Sequence, residues 1–266
     1  MDLELSGKRA IVTGGSRGIG KAIAIELSRE GVDVALVART AGPLQAAADE
    51  IMEATGRRCI AVTADTGDDA SVRAMVEQVV ADLGGVDILV NSAAKPGGQG
   101  PVPRLADVTT EAFWDDMNVK VMGYLRCARE VAPHMRAQGW GRIINISGLA
   151  ARQAGSIVGS MRNVSVAALT KNLADELGPD GINVTVVHPG TTRTEATEGV
   201  IAARANQRGV TEAEIEAAMS QANATKRIVD ASEIAYIVAF LASPRSVAIT
   251  GDAIAAGGGA PRAIHY

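Results

Sequence analysis

Residues 9–20 read RAIVTGGSRGIG, an apolar-centred strand that runs straight into a glycine loop and then into a helix. Gly14, Gly18 and Gly20 stand in a G-x-x-x-G-x-G spacing. The first glycine permits a tight turn, the second lets backbone approach a phosphate, and the third lets the helix pack on the strand. Ser16, Arg17 and Ile19 complete the loop. A glycine-rich loop alone is weak evidence. Its place between a strand and a helix is the context that a pyrophosphate-binding turn requires.

Outward from this turn, short apolar runs alternate with helical patterns to the far end of the chain. The strand candidates are RAIVTG (9–14), VDVALVA (32–38), RCIAVTAD (58–65), VDILVNSA (86–93), GRIINIS (141–147), INVTVVHPG (182–190) and DAIAAGG (252–258). Between them, residues 21–30, 44–55, 71–83, 110–137, 164–177 and 232–243 carry apolar residues at three- and four-residue spacing, the mark of amphipathic helices. Gly31 and Gly56 read as helix C-caps and Asp68 as an N-cap. Near-continuous apolar strands alternating with helices predict an α/β fold: a Rossmann-like, doubly wound parallel sheet of about seven strands, helices on both faces. No linker or repeat divides the chain, so residues 1–266 read as one domain. Residues 193–230 break the rhythm with a polar helix that no strand precedes. They read as an insertion over the carboxyl edge of the sheet, where ligands bind in such folds, and hence as a substrate lid.

Composition narrows the function. The chain has 266 residues, 47% hydrophobic and 21% charged, with a net charge of −4, which is globular and disfavours nucleic acid or an anionic membrane as main partner. Cys59 and Cys127 lack the spacing of a metal knuckle or disulfide framework and read as buried small hydrophobes in a reducing compartment. No metal site is expected. The first ten residues hold no apolar leader, and no run reaches the roughly 18 apolar residues of a membrane span, so a cytoplasmic protein is expected.

The end of the second strand bears on which dinucleotide binds. An acid there would hold the ribose 2′-hydroxyl of NAD, whereas arginine accommodates a 2′-phosphate. Here Ala38 stands in the acid's place and Arg39 follows, with Arg17 as a second cation. Two planar guanidiniums favour NADP(H) over NAD(H). The ordinary alternative is that both are solvated surface charges.

TGGSRGIG, Asp65, NSAA (91–94), Asn118, NIS (145–147) and HPGTTRT (188–194) occur in this order, and together they resemble the short-chain dehydrogenase/reductase family over nearly the whole chain. By that resemblance Asp65 and Thr66 border the adenine, Asn91 and Ala93 lie along the cofactor, and Pro189, Gly190, Thr192 and Thr194 wrap its nicotinamide side. It also implies a homotetramer or dimer formed through the long helices around Asn118 and Ala167.

The family's enzymes use a serine, a Tyr-x-x-x-Lys pair and a helix asparagine. Tyrosine and lysine four apart share a helical face, and the ammonium lowers the phenol's pKa from about 10 so that it exchanges a proton near neutral pH. Carried onto this chain from Pro189, the tyrosine position is Gly159, the lysine position Asn163 and the serine position Gly148. Tyr124, Tyr236 and Tyr266 are the only tyrosines. Asn118 and Ser147 remain as candidate catalytic remnants, with the ordinary alternatives of a helix hydrogen-bond anchor for Asn118 and local backbone hydrogen bonding for Ser147. Ser160, Arg162, Lys95 and His188 are possible substitutes, each with an ordinary reading: a cap for Ser160, a surface or interface cation for Arg162, a loop charge for Lys95 and a packing residue for His188. Replacing bulky groups by Gly148, Gly159 and Asn163 predicts a roomier cavity beside the nicotinamide. Two functions follow: an NADP(H)-dependent oxidoreductase acting on an unidentified small molecule through a non-standard site, or a catalytically inactive cofactor-binding protein that regulates, carries a ligand or joins an assembly.

Overall fold

The computed structural model describes residues 1–95 and 102–259. Seven strands form one parallel sheet: β1 (Arg9–Thr13), β2 (Asp33–Ala38), β3 (Cys59–Thr63), β4 (Ile88–Asn91), β5 (Gly141–Ile146), β6 (Ile182–Pro189) and, last in the chain, β9 (Ala253–Ala256). Their order is β3-β2-β1-β4-β5-β6-β9. The winding reverses between β1 and β4, so the loops after these two strands diverge and open a crevice.

Each strand is apolar on both sides because helices cover both faces. Ala10, Val12, Val34 and Leu36 pack with α1 (Gly18–Arg29), α2 (Ala41–Thr55) and α9 (Ala231–Ala242). The alternate residues Ile11, Ala35 and Val37 pack with α3 (Asp69–Leu83), α5 (Gly123–Gln138) and α6 (Ile157–Leu177). Cys59 and Cys127 lie in these two cores, where burial pushes both thiols up to about 12. Arg9 and Asp87 clamp the foot of the sheet at its reversal, Arg9 Nε donating to Asp87 Oδ2 at 2.6 Å. Among the described residues no helix is long and apolar enough to cross a membrane.

Local signals hold at several helix ends. Asp68 caps α3, accepting the Ser71 N–H at 2.7 Å, and Gly56 ends α2 in the left-handed region at φ +66°. Gly31 follows the C-cap of α1, which is Glu30. The cap of α6 is Ser156 rather than Ser160, whose hydroxyl donates to the Gln153 carbonyl.

Two expectations are corrected. The helix expected over 110–137 is interrupted: α4 (Thr110–Met117) leads into a π-helical turn over Asn118–Met122 before α5 begins. Such wide turns are rare and insert extra backbone into a helix. Here the turn accompanies the inward burial of Lys120, a charged residue on an otherwise apolar stripe. The segment 193–230 contains two helices, α7 (Thr197–Arg208) and α8 (Glu212–Ser220). It is tied at its base by parallel pairing of β7 (Thr192–Arg193) with β8 (Val229–Asp230). Ile201, Ala205 and Ile215 give it a small apolar cluster of its own.

Replacing Asp68 with alanine removes the α3 cap and is expected to cost about 1 kcal/mol, read as a lowered urea midpoint at unchanged slope.

Candidate functional site

The crevice is built from three strand ends. Thr13 closes β1 fully buried, and its hydroxyl accepts the N–H groups of Ser92 at 3.0 Å and Ala93 at 3.1 Å, the first residues beyond β4. Gly14 turns at φ +68°, where a Cβ would lie 2.9 Å from Ser92 O and 3.0 Å from the Ala93 Cα. A Cβ on Gly20 would meet Gly14 O at 2.4 Å. Only glycine permits backbone on backbone this closely.

α1 starts at Gly18 after an extended Arg17, and no side chain of Arg17 caps it. Its first N–H groups therefore face outward with the positive end of the helix dipole. Gly18 N–H donates to the Glu195 carboxylate at 3.0 Å, so the one group that meets it is an oxyanion. Glycines that a Cβ would block, with an N-terminus uncapped by its own residue, fit the diphosphate of a dinucleotide. Ser16 and Ile19 are half-buried in the same turn. Gly14 and Gly15 donate to Val37 O, which places the loop beside the end of β2 and the exposed Arg39. Arg17 is exposed as well, and neither arginine forms an ion pair with another described residue.

The remaining predicted contacts divide. Asp65 is exposed beyond β3 and accepts the Gly67 N–H at 2.9 Å. Thr66 is buried, its hydroxyl donating to Val119 O. Ala93 lies against Gly14. Asn91 has no exposure; its amide donates to Asn145 Oδ1 at 2.9 Å, and Asn145 donates in turn to Thr170. Its side chain staples β4 to β5. Pro189 ends β6 and Gly190 follows it against Gly257, the Thr192 hydroxyl donates to Gly190 O, and the Thr194 methyl reaches toward Gly18. A cavity of about 350 Å³ opens here, lined by Gly148, Gln153, Pro189, Gly190, Met219 and Asn223. Met219 and Asn223 belong to the 193–230 segment, which thus forms one wall.

The candidate catalytic residues are rearranged. Ser147 follows β5, and its hydroxyl donates to both the carbonyl and the Oδ1 of Asn163, each at 3.1 Å. Asn163 is buried, with its Nδ2 3.3 Å from where a Gly148 Cβ would be. A Cβ on Gly159 would lie 2.8 Å from the Ser156 hydroxyl. The expected enlargement at Gly148, Gly159 and Asn163 is therefore not one open space: Asn163 and Ser156 occupy two of the gaps, and the cavity adjoins Gly148 alone of the three.

Asn118 does not join Ser147. Its amide donates to Gly67 O at 3.1 Å and its Oδ1 accepts from Arg126 at 2.8 Å, so it braces the helix against the loop after β3. Two residues on, Lys120 takes the place beside Ser147. It is 3% exposed and its Nζ donates to Ser147 O at 3.0 Å. Burial, reinforced by Arg162 and opposed by Asp116, pulls its ammonium down to about 7. Arg162 is not a surface cation: its guanidinium is largely buried and pairs with Asp116 at 2.6 Å. Lys95 pairs with Asp115 at the surface, and His188 is packed within β6. Tyr124 is fully buried, its hydroxyl donating to Ile146 O at 2.8 Å, and burial drives its pKa upward.

The sequence carried a signal for Lys120. It precedes Tyr124 by four residues and Cys127 by seven, so it lies on the stripe that α5 buries. A charge on a buried stripe is rare without a role or a partner.

The family model described as short chain dehydrogenase matches residues 8–205. The short-chain reductase protein NovJ of Streptomyces niveus is 35% identical over 254 residues, covering 95% of this chain and 93% of NovJ. The crystal structure of L-sorbose reductase from Gluconobacter frateurii, complexed with NADPH and L-sorbose, superposes with a TM-score of 0.93 at 30% identity, covering 99% of this chain and all of that one. NAD+-bound xylitol dehydrogenase superposes at 0.87 with 26% identity, over 96% of this chain and all of the other.

Lys120 also makes stability depend on pH. Its folded pKa of about 7 lies below the ordinary 10.5, so burying the charged form costs stability in full below about pH 7. The cost fades as pH rises toward the unfolded value. Lys120→Met is expected to gain on the parent by about 3 kcal/mol more near pH 6.5 than near pH 9.5 in urea unfolding, and a pH-independent difference would contradict this.

Proposed function

The chain belongs to the short-chain dehydrogenase family, and from that premise we propose that it binds NADP(H) in preference to NAD(H) at a site lacking the family's usual proton-handling residues. It exchanges a hydride with a carbonyl or hydroxyl compound there. The observation that carries this reading is the conjunction at the end of β1. A turn in which Gly14 and Gly20 leave no room for a Cβ meets an outward-facing helix N-terminus, flanked by two exposed arginines without an ion-pair partner among the described residues. The NADPH of the sorbose reductase supports the phosphorylated form, and the NAD+ of the xylitol dehydrogenase leaves the choice to Arg17 and Arg39.

When bound, the nicotinamide supplies or accepts the hydride. The chain's own groups do the rest in this reading. The first turn of α1 holds the diphosphate, and Arg17 and Arg39 pair with the 2′-phosphate. Asp65 and Thr66 border the adenine, Ala93 lines the path with Asn91 holding the end of β4 behind it, and Pro189, Gly190, Thr192 and Thr194 shape the nicotinamide end. Residues 193–230 cover the substrate. The missing serine and Tyr-x-x-x-Lys pair, with Gly148, Gly159 and Asn163 in their positions, make the site atypical. Trp114 on α4 and Met161 and Val164 on α6 are exposed apolar side chains and support a homo-oligomer through these helices.

Fluorescence titration with NADPH and NADH tests the cofactor. Arg39→Ala combined with Arg17→Ala is expected to weaken NADPH about 10- to 100-fold while NADH changes less than about threefold. Equal binding of both dinucleotides by the parent protein would overturn the preference. Tight NADPH binding with no turnover across a panel of carbonyl and alcohol compounds would favour the cofactor-binding, non-enzymatic alternative.

A further inference from the structure

Among the described residues, the site as read so far has a place for a dinucleotide and no assigned group to move a proton. Ser147 spends its hydroxyl on Asn163, Asn118 is committed to Gly67 and Arg126, and Tyr124 is sealed in the core. One titratable group remains at the carboxyl end of β5. Lys120 projects from the π-helical turn, and its Nζ rests on the carbonyl of Ser147. The next residue, Gly148, lines the cavity and carries no side chain. The ammonium is thus one peptide unit behind the cavity wall.

Resting on the proposed function, we propose that Lys120 carries the acid–base function of this site, standing in for the tyrosine that residue 159 lacks. A lysine has three N–H donors, of which Ser147 O engages one. The surrounding charges come from two other elements: Asp116 on α4, and Arg162 on α6, which are paired with each other. Tyr124 on α5, Ser147 after β5 and Asn163 on α6 add polar groups without charge. Asp116 is therefore already neutralised, and Lys120 faces a low-dielectric pocket in which loss of its proton is easy. Its lowered pKa agrees with this placement.

In a reduction, the substrate oxygen needs one proton. Because Nζ stands behind the wall, the proton crosses it through one water: the water's O–H bond breaks as the substrate's O–H bond forms, the Nζ–H bond breaks to restore that water with its electron pair staying on nitrogen, and the neutral amine is reprotonated from solvent. The reduced dinucleotide is the source of the hydride. In the oxidative direction the neutral amine accepts the hydroxyl proton through the same water instead.

The same group links protonation to binding, because a cationic Nζ favours the anionic cofactor and its ribose oxygens. Calorimetric titration with NADPH in two buffers of different ionisation enthalpy, from about pH 6 to about pH 9, counts the protons taken up. The parent protein is expected to take up almost none near pH 6 and approaching one near pH 8.5, with affinity falling up to tenfold per pH unit above about 7. Lys120→Met should abolish that uptake, leaving only the titration of the cofactor's own phosphate. Lys120→Arg, which keeps the charge at every pH, should bind without the uptake and resist the loss of affinity at high pH. Proton uptake unchanged in either variant would overturn the proposal, as would a parent protein with no more uptake than the phosphate accounts for. If NADPH fails to bind the parent at any pH, the cofactor reading itself falls. Should Lys120→Met not fold, Lys120→Arg and the parent's proton count decide the matter.

Discussion

One hydroxyl holds the crevice in register. Thr13 accepts two backbone N–H groups from the loop after β4, and so locks the glycine turn onto Ser92 and Ala93 at the reversal of the sheet. Parallel strands hydrogen-bond along their length but splay at their carboxyl ends, where the winding changes direction. Without a tie at that point the separation of the two loops would be set only by their own flexibility. With it, Gly14 and Gly20 are pressed against backbone, α1 begins where its N–H groups face the crevice, and Arg17 and Arg39 flank it.

The interior beside this crevice is polar, and it is arranged as two separate networks. One runs Asn91 to Asn145 to Thr170 and joins β4, β5 and α6 within the core. The other gathers Lys120, Ser147 and Asn163, with the Arg162–Asp116 pair beside them, and lies behind Gly148 at the cavity wall. Buried polar groups are tolerated when their partners are supplied, and the first network meets that condition as a structural staple. The second contains a buried lysine whose hydrogen bond is to a neutral carbonyl. That is an expensive way to fill space and an economical way to keep a proton exchangeable.

The fold was legible almost throughout. Apolar strands such as IVT and ALV, buried on both faces, separated cleanly from helices with three- and four-residue spacing, and caps such as Asp68 marked the joints. The 110–137 helix was read as continuous because its periodicity does not break at the π turn; only the inward course of Lys120 reveals it. The 193–230 segment hid one of its two helices, since α7 buries little more than Thr197, Ile201 and Ala205 and so shows a weak stripe. For Asn118 the sequence leaves two roles open, a catalytic remnant and a helix hydrogen-bond anchor, and its bonds to Gly67 and Arg126 are those of an anchor. Linear order placed an asparagine on the right helix, but a helix rotates its side chains by position, and two residues separate the face that meets Gly67 from the face that meets Ser147.

By itself the sequence determined the parallel sheet and the glycine turn, because these follow from local pattern: period, backbone permissiveness and residue chemistry at known spacing. Which groups meet was decided only by the tertiary structure. Ser147 bonding Asn163, Arg162 pairing with Asp116, and Lys120 reaching the end of β5 are contacts between elements dozens of residues apart in the chain or turned by a local change of helix pitch. Burial then sets their chemistry, since a lysine in water and a lysine under β5 differ only in their surroundings, and those surroundings exist only once the helices have closed over the sheet.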